Sequence, residues 1–113
     1  MRHLKDEEKA LIAKLIQGLS TEALGSESLD TIRVEEMADG GMGSLSFVRP
    51  FSGQRRFGKQ FQEAMFSDAD GVVVSVTINL DQDGFLFELD MWKTDFSPLK
   101  RIPAPSEIRI RTN

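Results

Sequence analysis

The densest group of metal-capable side chains is Asn79-x-Asp81-x-Asp83-Gly84-x-Leu86-x-x-x-Asp90. Its oxygens fall at positions 1, 3, 5 and 12 of a calcium loop, with glycine at 6 and an apolar residue at 8. A hard cation needs several such oxygens converging on one turn. Position 12 is Asp, however, where the longer Glu normally chelates through both oxygens. The flanks also alternate like strands, which carries Asp90 from the turn by ~3.3 Å per residue. An Asp-Gly hairpin turn is therefore the expected structure, and a calcium or magnesium site on Asn79, Asp81, Asp83 and Asp90 the alternative.

Glu88 and Asp90 form a second group, two apart on one face of a strand. Paired carboxylates do acid/base work when burial raises one pKa. A metal-binding module or hydrolase using Asp81, Asp83, Glu88 and Asp90 is thus a reading that stays open, beside a solvated acidic face. Other catalytic chemistry lacks its residues. Cysteine is missing and the only histidine is His3. Gly40-Gly41-Met42-Gly43 lies between strands rather than before a helix, where a phosphate loop belongs. No catalytic residue and no cofactor is expected, and an enzyme is the less favoured reading.

Trp92 and Phe96, followed by Ser97-Pro98-Leu99, form an aromatic cluster beside Asp95. It suits either a hot spot for a protein partner or a pin holding the C-terminal segment on the sheet. The pin is favoured, since a lone Trp in a small domain usually packs.

These groups must be held by regular elements. Leu11, Ile12, Leu15, Ile16 and Leu19 recur at helical spacing, which predicts a helix over 6–19 with Asp6 as N-cap and Glu7 and Glu8 in its first turn. Residues 20–30 read as a connection with one extra helical turn. Period-two patterns then predict strands over 31–37, 44–49, 57–66, 72–80 and 85–93. Turns at 39–43, 68–71 and 81–84 separate several of them. Phe57, Phe61 and Met65 suit a helix as well, but Gly58 and the following turn favour a strand. In 85–93 the pattern puts Phe85, Phe87, Leu89 and Met91 inward and Leu86, Glu88, Asp90 and Trp92 outward. The tail over 97–113 carries Pro98, Pro103 and Pro105 and should run extended, with Ile108 and Ile110 adding an edge strand. The fold class that follows is α+β: an N-terminal helix packed on a curved antiparallel β-meander of four to five strands.

Length and charge set the outer limits. The 113 residues fit one domain over 1–113, and 40% hydrophobic with 28% charged is globular composition. A net charge of −4 lacks the basic footprint of nucleic-acid binding, so no nucleic acid is expected as partner. No apolar run approaches the ~20 residues of a membrane span, and the charged start is unlike a signal peptide. A cytoplasmic protein with no membrane partner is expected. A pocket for a small apolar ligand between helix and sheet is a further alternative, although the same side chains are needed to fill a core.

Three stretches carry a resemblance: Asp39-Gly40-Gly41-Met42-Gly43-Ser44-Leu45, Asp68-Ala69-Asp70-Gly71-Val72, and the run from Phe87 through Glu88-Leu89-Asp90-Met91-Trp92-Lys93-Thr94-Asp95-Phe96-Ser97-Pro98 to Leu99. The chain resembles a small family of uncharacterised bacterial proteins, a domain of unknown function, from the helix to about Pro103. Its most specific part is the Glu-Leu-Asp-x-Trp-Lys-x-Asp-Phe-Ser-Pro-Leu signature. The resemblance implies no catalytic residue. Similar small acidic bacterial α+β proteins serve as immunity proteins, and by that analogy the expected function is a non-catalytic protein-binding module that neutralises a basic toxin. Glu88, Asp90, Trp92 and Asp95 are the expected partner-binding residues.

Overall fold

The computed structural model describes residues 1–50 and 53–111. It shows an α+β fold in which one N-terminal helix packs against a curved, open antiparallel sheet. The helix α1 spans Asp6–Leu15 and buries Leu11, Ile12 and Leu15. These pack into one cluster with Ala64, Phe66, Val74, Val76, Ile78 and Leu89 from the sheet. Each fully buried aliphatic side chain contributes about 2 kcal/mol. That packing, more than propensity, holds a helix only ten residues long.

Both helix ends differ from the sequence expectation. Lys5, not Asp6, is the N-cap, and Glu8 reaches back to accept the Lys5 backbone N–H at 2.8 Å. Arg2 then forks onto the same carboxylate at 2.7 and 2.9 Å. Burial opposes charge on Glu8, but the Arg2 guanidinium and the Lys5 N–H prevail and hold its pKa below the usual carboxylate value. The helix stops at Leu15 rather than 19 because the chain turns at Gly18, where φ is +87°. Ile16 and Leu19 still pack against the core from that turn. A 3-10 turn at Thr21–Leu24 supplies the extra helical turn expected in the connection.

The sheet contains β1 (Arg2–His3), β2 (Arg33–Glu36), β3 (Leu45–Val48), β4 (Phe57–Ser67), β5 (Val73–Asp81), β6 (Leu86–Lys93) and β7 (Arg109–Ile110). The five longer strands match the expected ones, and β7 is the edge strand expected from Ile108 and Ile110. The order is β1-β2-β3-β6-β5-β4-β7. A hairpin, β2–β3, is thus joined to a meander, β4–β5–β6, by pairing β3 with β6. The tail is not extended throughout: Pro105–Glu107 forms a 3-10 turn before β7, and residues 112–113 lie outside the described residues.

The β3–β6 seam has only two register pairs, Leu45 with Leu89 and Ser46 with Glu88. Two side chains extend it. At one end Ser44 Oγ accepts the Met91 N–H at 2.8 Å and lies 3.2 Å from the Met91 carbonyl. At the other, Arg55 donates to the Phe47 carbonyl on β3 at 2.6 Å and the Leu86 carbonyl on β6 at 2.5 Å. Its Nε binds Asp81 at 3.0 Å. Arg55 therefore satisfies carbonyls that a diverging ladder leaves unpaired.

Bulges decide which face each side chain takes. Between Asn79 and Leu80 the β5–β6 register shifts, so Leu80 pairs with Leu86. Leu86, expected outward, is buried, and Phe87, expected inward, is only half-buried. Shifts at Phe57/Lys59 and Gln60/Gln62 act likewise on β4. Phe57, Phe61 and Met65 consequently do not share a face: Phe61 packs on the core, whereas Phe57 and Met65 are exposed. One inserted residue reverses the alternation of all that follow.

The tail is anchored by Lys93, whose side chain is 0% exposed. Its ammonium donates to Asp68 at 2.8 Å, Asp70 at 2.6 Å and the Pro98 carbonyl at 3.1 Å. Asp68 also accepts the backbone N–H groups of Ala69, Lys100 and Arg101. Burial works against both charges. The Lys93 ammonium and the backbone donors nevertheless pull Asp68 down to about 2, and the two carboxylates raise Lys93.

A Cβ at Gly58 would overlap the Asp81 carbonyl, which is backbone and cannot yield. Gly58→Ala should lower the unfolding free energy by about 2 kcal/mol or more, read as a lower urea midpoint at constant slope. The lowered Asp68 pKa stabilises the fold above pH 4 and is lost as pH falls toward its folded value of about 2. Stability should drop by about 2 kcal/mol from this group across that window, and Asp68→Asn should flatten the dependence. A wild-type urea midpoint unchanged from pH 4 to pH 2 would contradict the assignment. The raised Lys93 adds an alkaline limb, lost only above the ordinary lysine value of 10.5.

Candidate functional site

Helix α1 covers one face of the sheet, and among the described residues no second helix covers the other. Directly opposed residues of antiparallel strands share a face, so the register reads out what this open face presents. One row runs Glu35, Ser46, Glu88, Asn79, Gln60. The next runs Asp90, Thr77, Glu63, and a third Trp92, Ser75, Met65, Arg109. Carboxylates thus occupy the middle of the face, and large apolar side chains one end of it.

A depression of about 430 Å³ lies there, lined by Glu63, Ser75, Thr77, Asp90, Trp92 and Thr94. Trp92 is 53% exposed and Met65 40%. Phe96, 66% exposed, meets Trp92 with ring centroids 5.4 Å apart at a 54° tilt, an attractive edge-to-face type of contact. Phe96 is the only non-glycine described residue with positive φ, at +64°. An aromatic residue resists that conformation, so the turn must impose it. Its N–H binds the Lys93 carbonyl at 2.8 Å. Beside it Asp95 accepts the Ser97 hydroxyl at 2.6 Å and the Ser97 N–H at 3.0 Å, contacts that lower its pKa.

The expected partner-binding residues are therefore gathered unevenly. Glu88, Asp90 and Trp92 lie in successive rows of the open face, with Trp92 outward as the alternation predicts. Asp95 sits in the adjoining turn, where its carboxylate is engaged in shaping the Phe96 backbone. The expected pinning of the tail beside Trp92 is not found. Lys93 holds Pro98 on the opposite, core side, while Leu99 and Ile102 pack against the core. Met65 and Glu63 were missed because the β4 bulges reverse the pattern from which their face was read. Gly58, a strand glycine at the first bulge, is the signal that could have found them.

The residues of the alternative metal site do not converge. Asp81 is fully buried, with one oxygen accepting the N–H groups of Asp83 and Phe85 and the other binding Arg55. Burial would raise its pKa, yet these donors hold it lowered. Asp90 lies on the open face opposite Thr77, its Oδ1 3.3 Å from Ser44 Oγ. Among the described residues no three His, Cys, Asp or Glu side chains are placed to hold a metal ion. The turn at 81–84 is the Asp-Gly hairpin turn. Leu11, Ile12, Leu15, Phe66 and Val76 form a packed cluster between helix and sheet, where the apolar-ligand alternative would require space. No described helix is long and apolar enough to cross a membrane.

Residues 1–103 match the family model described as a domain of unknown function (DUF6984), and the chain belongs to that family. No curated protein and no solved structure matches it.

The site geometry makes a direct optical prediction, because Trp92 is the only tryptophan. Its native emission should be red-shifted and quenched by acrylamide at more than half the rate of the urea-unfolded chain. A blue-shifted, protected emission would restore the pinned arrangement.

Proposed function

We propose that this member of the DUF6984 family is a cytoplasmic, non-catalytic protein-binding module that docks a basic protein on its open sheet face. The observation that carries the reading is the exposed Trp92–Phe96 pair, held in a strained turn beside Asp90. Interface hot spots are enriched in tryptophan and ringed by polar groups, and Met65 extends the apolar centre here. Glu88, Asp90 and Glu35 supply negative charge around it, in a chain of net charge −4, whereas Glu63 is paired with Arg111 at 2.6 Å. Such a surface steers a positively charged partner toward encounter and makes the association rate depend on salt. Neutralisation of a basic toxin by an immunity protein is the biological setting we infer from the resemblance to small acidic bacterial proteins. The Glu-Leu-Asp-x-Trp-Lys-x-Asp-Phe-Ser-Pro-Leu signature is then the docking element, with Trp92 facing the partner and Lys93 holding the turn.

Capture from the source cells with tagged wild-type protein and two variants tests this reading. Wild type should retain one stoichiometric basic protein at moderate salt. Trp92→Ala should weaken that complex at least about tenfold, and Glu88→Lys with Asp90→Lys should weaken it and reverse its salt dependence. Trp92 and Asp90 are exposed and Glu88 is half-buried on the open face, so both variants should leave the melting temperature nearly unchanged. Equal capture by all three proteins, or none in cells that express the bait, would count against the proposal.

A further inference from the structure

At the other end of the open face from Trp92 the charge changes sign. His3 on β1, Arg33 on β2 and Val48 on β3 are directly opposed and so form one row. With Arg49, Pro50 and Glu27 they line a cleft of about 550 Å³, comparable to a small-molecule site. Neither Arg33 nor Arg49 has a carboxylate partner among the described residues, although the chain as a whole is acidic. Among the described residues Glu27 is the only acid on the wall.

Arg49 supplies a second, independent observation. Its guanidinium carbon lies 3.4 Å from the centroid of the Phe85 ring, which fixes the plane of the fork. Its Nη1 is buried and donates to nothing among the described residues. The ring takes one face of the guanidinium, and an oxyanion is the acceptor that the remaining N–H groups of such a fork bind best from the cleft. Val48 and Pro50 add an apolar wall. We propose that this cleft binds a small organic oxyanion, a phosphate monoester or carboxylate with an apolar body, its oxygens held between Arg33 and Arg49. The site is separate from the Trp92 surface and does not depend on the function proposed for that surface.

Titration followed by NMR tests it, with phenyl phosphate, benzoate and neutral benzyl alcohol as probes. One or both anions should shift the Arg33, Val48 and Arg49 resonances saturably at about 1 mM, whereas benzyl alcohol should not. Saturation by phenyl phosphate alone assigns a phosphate ligand, and comparable saturation by benzoate assigns a carboxylate. Arg33→Gln, at an exposed strand position, should weaken binding at least about tenfold, and so should Arg49→Gln. Trp92→Ala should leave it unchanged. The proposal is overturned by the lack of saturable shifts up to about 10 mM of either anion, or by unaltered affinity in both arginine variants.

Discussion

A lysine ammonium buried at the end of β6 sets the orientation of the whole functional surface. Removing such a charge from water costs several kcal/mol unless every proton finds an acceptor. Lys93 has three acceptors, in Asp68, Asp70 and the Pro98 carbonyl. Because a strand alternates with period two, an inward Lys93 requires an outward Trp92, and behind it an outward Asp90. The same node ties the β4–β5 turn and the tail to the core side of the sheet. Trp92 is thereby left half exposed, with Phe96 against it.

The second constraint is the narrow seam between hairpin and meander. With only two register pairs, β3 and β6 would separate at both ends. Ser44 closes one end through the Met91 backbone, and Arg55 closes the other by bridging the Phe47 and Leu86 carbonyls while held by Asp81. Asp81 and Asp68 have parallel roles. Each is a buried turn carboxylate that accepts backbone N–H groups and one cation, so each couples a hairpin turn to a segment distant in sequence. Asp81, whose spacing in the sequence suggests cation chemistry, is used in this way to fasten the fold.

With one helix on one face, the other face is left to the sequence to dress. It carries Glu35, Glu88, Asp90 and Glu63 in the centre, Trp92, Met65 and Phe96 toward one end, and Arg33 with His3 at the other. An acidic field around an aromatic centre suits association with a basic protein surface. The unpaired arginines suit a smaller, anionic ligand. The acidic centre and the Arg33 end thus offer opposite charge on a single sheet.

Period and composition in the sequence suffice for the α+β class, for the five longer strands and for the outward direction of Glu88, Asp90 and Trp92, because these depend on local alternation and turn chemistry. Local pattern fails wherever a bulge inserts a residue, as at Gln60/Gln62 and Asn79/Leu80. A single inserted residue sends Phe61 inward and Met65 outward without changing the composition of the strand. Pairing of β3 with β6, and the fate of the tail, were also beyond local reading. They rest on contacts between residues far apart in the chain, such as Arg55 with Leu86 and Lys93 with Asp68. The sequence determines that Trp92 points away from the core. Only the tertiary structure decides that the tail leaves it half exposed beside Phe96, because the tail is drawn to the opposite side by a charge that must be neutralised there.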